Sequence, residues 1–367
     1  MISKPRESKL NIQFKDSSFA NRIQDAIAKT EITSDFTIVH SDYEPLTVSA
    51  RYRDYLQQSS SENRDRYLAS RLQQYLYAIF NGELKPRQSA QETRHHPSTT
   101  NSNLQNEIVN SANSWYKTKF FDRLTQCNHG RGYQDAGWLL IVKETKSWQV
   151  SKDGLTIFID PQKHLFDPDL DLELQIGQKV SILMPPNLVE RGLYIAVGDA
   201  GSTHNLQPSS ECAIAQVYFN VGFKTALVLL DNLTRQLNEL KIPFNFKIPY
   251  SKIDFNRLDA PVLEFMRDDW QKVEEVVKAI YAQNKAEFYP QVPFFCKQLG
   301  AGLGFAEKPY WKLDINLENF GLKYCQFIAE SILKTNKQSN LSNVNKLDLT
   351  MLYLSEMKIN WERFYLN

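Results

Sequence analysis

Lys241, Lys247, Lys252 and Arg257 stand close together, opposed only by Asp254, with Phe244, Phe246, Tyr250 and Phe255 set between them. Such a segment can hold an anion. Solvated charges on a strand whose other face is buried give the same pattern. The run His129-Gly130-Arg131-Gly132-Tyr133 is comparable: flanking glycines can expose Arg131, and an ordinary turn before a strand reads the same way.

Metal and nucleotide chemistry find less support. Cys127 and His129 have ligand chemistry but no second pair nearby, and Cys127, Cys212, Cys296 and Cys325 form no CxxC, so packed, reduced thiols are the reading. Asp167, Asp169, Asp171 and Glu173 approach a calcium loop, but Pro168 and the missing central glycine break the EF-hand pattern, which leaves them as turn residues. His95-His96 reads as part of a mobile polar segment. Gly300, Gly302 and Gly304 do not open a helix after the first strand of a βαβ unit, so Leu299 to Phe305 reads as a tight or flexible loop. The chain has no GxxxxGK[ST] loop, no kinase HRD and DFG set, no HExxH and no GxSxG.

The elements that must position these residues change character along the chain. Phe19, Ile23, Ala26 and Ile27 share a helical face, and Tyr67, Leu68, Leu72, Tyr75, Leu76 and Ile79 form a second stripe ending near Gly82. Lys85 to Asn106 is almost devoid of apolar residues and reads as a flexible polar linker or loop. A helix is expected over Leu104 to Leu124. From Gly137 onward short β-rich runs alternate with turn residues, Asp153-Gly154 among them, which predicts a largely antiparallel sheet. A strand from Cys212 to Val221 feeds a helix from Phe223 to Leu240. Strand alternation over Pro243 to Tyr250 gives one apolar face and turns Lys247 away from it. A strand over Pro261 to Met266, a helix from Asp269 to Lys285 and two C-terminal helices complete an α+β chain.

Bulk properties narrow the function. Among 367 residues, 43 Lys and Arg against 42 Asp and Glu leave a formal charge of +1, too small a field to favour generic nucleic-acid binding. With 42% hydrophobic residues a folded core is expected. No apolar run approaches the roughly 20 residues of a membrane helix, and Met1 to Phe14 lacks a signal-peptide core, so the expectation is a soluble, cytoplasmic protein with no membrane partner.

From Tyr218-Phe-Asn-Val221, through Ile242-Pro-Phe-Asn-Phe-Lys-Ile248 and Arg257-Leu-Asp259, to Lys297-Gln-Leu-Gly-Ala-Gly-Leu-Gly-Phe-Ala-Glu307, the chain resembles the HopA1 family. That family includes type III effectors of plant pathogens and bacterial homologues encoded with ribosomal-peptide maturation enzymes, such as class V lanthipeptide and thioamitide systems. The resemblance runs from about Trp138 to Ser331, through Phe320-Gly321 and Cys325. Together with the helical stripes and the polar stretch read above, this gives a helical N-terminal region over 1–84, a linker over 85–106 and a HopA1-like α+β domain over 107–367.

The resemblance implies a phosphopeptide lyase. A separate kinase of the pathway phosphorylates Ser or Thr of a precursor peptide, and this chain eliminates phosphate to leave dehydroalanine or dehydrobutyrine, with no cofactor and no metal. Elimination needs a base for the Cα proton and cations for the phosphate and the enolate-like oxygen. Lys247, in the family-like Phe-Lys-Ile segment, is the candidate base, with its free-amine form favoured by neighbouring cations. Arg131, Lys224, Arg257 and Lys297 are candidates for the phosphate. Tyr218 or His129 would protonate the leaving group, and Asp259 or Glu307 would orient a cation. Asn220, Asp259 and Glu307 are equally suited to capping or ion pairing. The chain departs from the phosphothreonine lyases of animal pathogens in lacking a compact Lys-x-His pair, since Ile248-Pro249 follows Lys247. A non-catalytic effector or precursor-peptide-binding subunit is the competing expectation. Single-stranded nucleic-acid binding by the aromatic-basic segment is a third and would be salt-sensitive.

Overall fold

The computed structural model describes residues 19–81, 84, 119–165, 174–190, 192–203, 213–251, 254–255, 257–308, 320–336, 352 and 365–366. The expected linker at 85–106, the acidic run at 167–173, Cys212 and Lys252 lie outside them. Two compact units form, Met1–Arg94 with Leu317–Phe364, and His95–Asn316 with Tyr365–Asn367.

In the first unit α1 (Phe19–Lys29) buries Ile23, Ala26 and Ile27 at helical spacing. An antiparallel sheet of β1 (Thr30–Ile32), β2 (Ile38–His40) and β3 (Tyr43–Leu46) follows. The sequence reading misses it because strands this short carry too few alternations to show a period. After α2 (Ala50–Gln58), α3 (Ser61–Phe80) starts at Ser60, whose hydroxyl accepts from the Asn63 amide, and buries Leu68, Leu72, Tyr75 and Leu76. The last described helix, α8 (Phe320–Asn336), packs against α3, and Gln73 Nε2 donates to the Leu322 carbonyl at 2.9 Å.

The second unit begins with α4, described over 119–127, the C-terminal part of the helix expected from Leu104. A four-stranded sheet follows in the order β6-β5-β4-β7, from β4 (Tyr133–Lys143), β5 (Trp148–Lys152), β6 (Leu155–Ile159) and β7 (Lys179–Met184), with the short α5 (Pro161–His164) between the last two. Asp153 and Gly154 close the β5–β6 hairpin with φ of 50° and 82°, the left-handed pair that a tight turn demands.

The larger sheet positions the site. It comprises β8 (Asn187–Glu190), β9 (Leu193–Val197), β10 (Ile214–Phe219), β11 (Phe244–Pro249), β12 (Val262–Met266), β13 (Lys297–Gly300) and β14 (Leu303–Glu307), in the order β13-β14-β10-β12-β11-β9-β8, all antiparallel. Two helices, α6 (Phe223–Glu239) and α7 (Trp270–Asn284), cover one face, where Phe244, Phe246, Leu263, Phe265, Val217 and Phe219 join Leu229, Leu233, Val273 and Ile280 in one core. The glycine-rich run read as a loop is instead the β13–β14 hairpin. Gly302 turns it at φ +69°, where an added Cβ would lie 2.2 Å from the Tyr289 carbonyl oxygen. The α+β class follows, with antiparallel sheets throughout the described residues.

Candidate functional site

Strand alternation that buries the phenylalanines of β11 against α6 and α7 sends Asn245 and Lys247 to the opposite face. Register then decides what they meet. One row across the sheet reads Ala306, Gln216, Glu264, Asn245, Val197; the next reads Gly304, Tyr218, Val262, Lys247, Ile195. Directly paired residues share a face, so a band of polar side chains crosses β10, β12 and β11.

Glu264 is the centre of that band, with its side chain 1% exposed. Lys247 Nζ lies 3.0 Å from Oε2, Lys308 Nζ lies 2.6 Å from Oε1, and Gln216 Nε2 donates to Oε1 at 2.8 Å. Tyr218 in turn donates its hydroxyl hydrogen to Gln216 Oε1 at 2.8 Å. Burying a carboxylate is tolerable only when it is paired and hydrogen-bonded, and here two amines and an amide do this. Among the described residues the cluster formally holds two cations and one anion. The Lys247 and Lys308 side chains are 16% and 27% exposed, so the cationic side of the cluster is the side open to solvent.

Glu264, Gln216 and Lys308 were missed from the sequence. Each does carry a faint signal, a polar residue at an alternate position of an otherwise apolar strand. For Lys308 the alternation runs Gly304, Ala306, Lys308, and its amide still donates to the Ile214 carbonyl at 2.7 Å, which prolongs β14 pairing past Glu307. The expectation that cations surround Lys247 is corrected in one respect: its ion-pair partner is an anion, and the second cation lies beyond it.

Asn245 is the odd member of the row. Its side chain is fully buried, yet neither Nδ2 nor Oδ1 has a hydrogen-bond partner among the described residues. Leaving such a group unpaired costs about 1–3 kcal/mol.

Arg257 and Asp259 precede β12 in the chain. Arg257 forms a two-pronged pair with Asp259, Nε to Oδ1 at 2.9 Å and Nη2 to Oδ2 at 2.7 Å. Burial raises the thiol pKa of Cys296 well above its usual range, and the Asp259 charge adds to that effect. The Cys296 Cβ stands 3.1 Å from where a Cβ on Gly304 would be, and Gly304 is the register partner of Tyr218. Cys296 therefore lies over the row that holds Tyr218 and Lys247.

The remaining candidates lie elsewhere. His129 Nε2 is 2.7 Å from Asp231 Oδ1 and its amide donates to Thr234 Oγ1, both on α6, the helix covering the other face. Arg131 is 90% exposed beside Asp199, whose amide donates to Asn238 on α6. Lys224 is exposed in the first turn of α6. Lys297 and Glu307 alternate onto the helix-covered side near Tyr365, with Lys297 Nζ 5.4 Å from its ring centroid and the Glu307 amide donating to its carbonyl. Asn220 is a staple: its Nδ2 donates to the Gln291 carbonyl, its amide to the Gly302 carbonyl, and its own carbonyl accepts from the Tyr289 amide. Among the described residues no group of three or more His, Cys, Asp or Glu is placed to hold a metal ion.

Residues 184–366, which include the whole polar band, match the HopA1 effector protein family. Over that span the chain belongs to the HopA1 family. Two solved effector structures resemble the HopA1-family chain. The effector protein from Pseudomonas syringae pv. tomato strain DC3000 shows 13% identity and a TM-score of 0.43, with 84% of this chain and 97% of that one covered. The effector protein from Pseudomonas syringae pv. syringae strain 61 shows 12% identity and a TM-score of 0.43, with 87% and 96% covered. No curated protein sequence matches the chain. In this HopA1-family protein no helix among the described residues is long and apolar enough to cross a membrane.

Proposed function

We propose that this chain is a phosphoserine and phosphothreonine peptide lyase acting in the cytoplasm on a precursor peptide phosphorylated by a separate kinase. The observation that carries the reading is the convergence of Lys247 and Lys308 on the one buried carboxylate of Glu264, to which Tyr218 is linked through Gln216. With the carboxylate shared between two amines, the Lys308 ammonium retains capacity for a further anion, and a phosphate dianion supplies it. Lys308 and Arg257 hold the phosphate.

Lys247 takes the Cα proton. The C–H electron pair becomes the Cα=Cβ bond, and the Cβ–O bond breaks with its pair left on the phosphate oxygen. Lys247 acts as the free amine, and Glu264 Oε2, 3.0 Å away, holds its Nζ in place. Tyr218, linked to Glu264 through Gln216, supplies a proton to the leaving oxygen where one is needed.

A second reading, a non-catalytic effector or peptide-binding subunit, is favoured by the same Lys247–Glu264 pair taken as a fixed structural bridge. Mass spectrometry of phosphothreonine and phosphoserine peptides incubated with the purified chain separates the two. Loss of the elements of phosphoric acid without added cofactor, abolished by Lys247→Ala, supports the lyase. Intact phosphopeptide that nonetheless binds supports the second reading.

A further inference from the structure

Two carboxamides flank Glu264 in the same row, and they are treated oppositely. Gln216 is engaged at both ends, donating to Glu264 and accepting from Tyr218. Asn245 is engaged at neither, although it is the direct register partner of Glu264 and is fully buried. The neighbouring β9 partner is Val197, which has nothing to offer an amide. Buried polar groups are paired in the great majority of cases, so an orphan beside a charged cluster indicates a partner that arrives with a ligand.

The chemistry of that partner is constrained because both atoms lack one. A carboxamide offers a donor and an acceptor, and phosphate oxygens accept only. A peptide group offers a C=O and an N–H together. We infer that Asn245 recognises the peptide main chain of the substrate, with Nδ2 donating to a carbonyl and Oδ1 accepting from an amide, while Lys308 and Arg257 meet the anion. This rests on the proposed lyase only for the identity of the peptide. Since the amide is closed to solvent and the two lysines are partly open, the peptide enters from the lysine side.

Affinities are measured by calorimetry for a blocked phosphothreonine peptide, its unphosphorylated counterpart and inorganic phosphate, with the unsubstituted chain and with Asn245→Leu. Removing the amide should weaken both peptides by about ten-fold or more and leave inorganic phosphate unchanged. A depsipeptide, in which an ester oxygen replaces the N–H of the phosphorylated residue, should bind less tightly than the peptide to the unsubstituted chain; this arm holds even if Asn245→Leu does not fold. Equal affinity of peptide and depsipeptide, or equal weakening of peptide and phosphate by Asn245→Leu, overturns the inference. If the peptide effects appear but no elimination occurs, Asn245 keeps its role and the lyase reading falls.

Discussion

Lys247 and Glu264 meet diagonally across neighbouring strands. The register partner of Lys247 is Val262, two residues before Glu264 on β12, and the ammonium reaches Oε2 at 3.0 Å by leaning along the sheet. Lys308 reaches the other oxygen from the far side of β10, so three strands separated widely in sequence are tied by one carboxylate.

Neutralising that carboxylate should be severe. Glu264→Gln leaves two partly buried amines without a counterion, and breaking a buried pair in this way costs about 3–5 kcal/mol. Urea titration reads the loss directly. A concurrent Lys247→Met and Lys308→Met replacement with Glu264→Leu should recover much of it, since an apolar substitute removes the desolvation burden.

The candidate residues should separate kinetically. Lys247→Ala should lower the turnover of phosphopeptide elimination by about 100-fold or more, the scale of a lost general base. Lys308→Ala should act chiefly on KM. His129→Ala, Arg131→Ala and Lys224→Ala, on or near the helix that covers the other face, should change kcat/KM by no more than about two-fold. A large effect at His129 with none at Lys247 would move the reaction centre to α6.

The β13–β14 hairpin should not accept a side chain at its turn. Gly302→Ala combines a φ of +69° with a Cβ 2.2 Å from the Tyr289 oxygen, so the Asn220 staple and the hairpin must shift together. The expected loss is about 2–3 kcal/mol. Gly201→Ala, also at positive φ but with nothing within 4 Å, serves as the control, and a smaller loss there isolates the steric part.

Alkaline pH should destabilise the fold. Burial raises the Cys296 and Cys325 thiols above their ordinary value, with Asp259 adding to the effect at Cys296. Above about pH 8.5 the unfolded chain releases these protons while the folded chain retains them, so the unfolded state binds fewer protons and stability falls as pH rises. The Tyr133 hydroxyl, pushed up to about 12 by burial and then by Asp135, extends the trend to higher pH. Calorimetric Tm values at pH 7, 8, 9 and 10 should decline, and Cys296→Ala should flatten the slope. A Tm independent of pH over that range would contradict the assignment.

What the sequence alone settled about this protein is local. Helical spacing set α3, α6 and α7, and the Phe244, Phe246, Ile248 alternation turned Lys247 away from the core, because a two-residue period depends only on adjacent residues and on which face is buried. The role of Asn245 was not legible, since nothing local distinguishes a satisfied amide from an orphan. The glycine run misled for the same reason: positive φ marks a turn but not the strands on either side of it. Only the tertiary structure decided that Gln216, Glu264 and Lys308 join Lys247 and that His129, Arg131 and Lys224 do not. Register between distant strands is fixed by the packing of the whole apolar face on α6 and α7, and a shift of one residue would have sent every member of the polar band to the other side of the sheet.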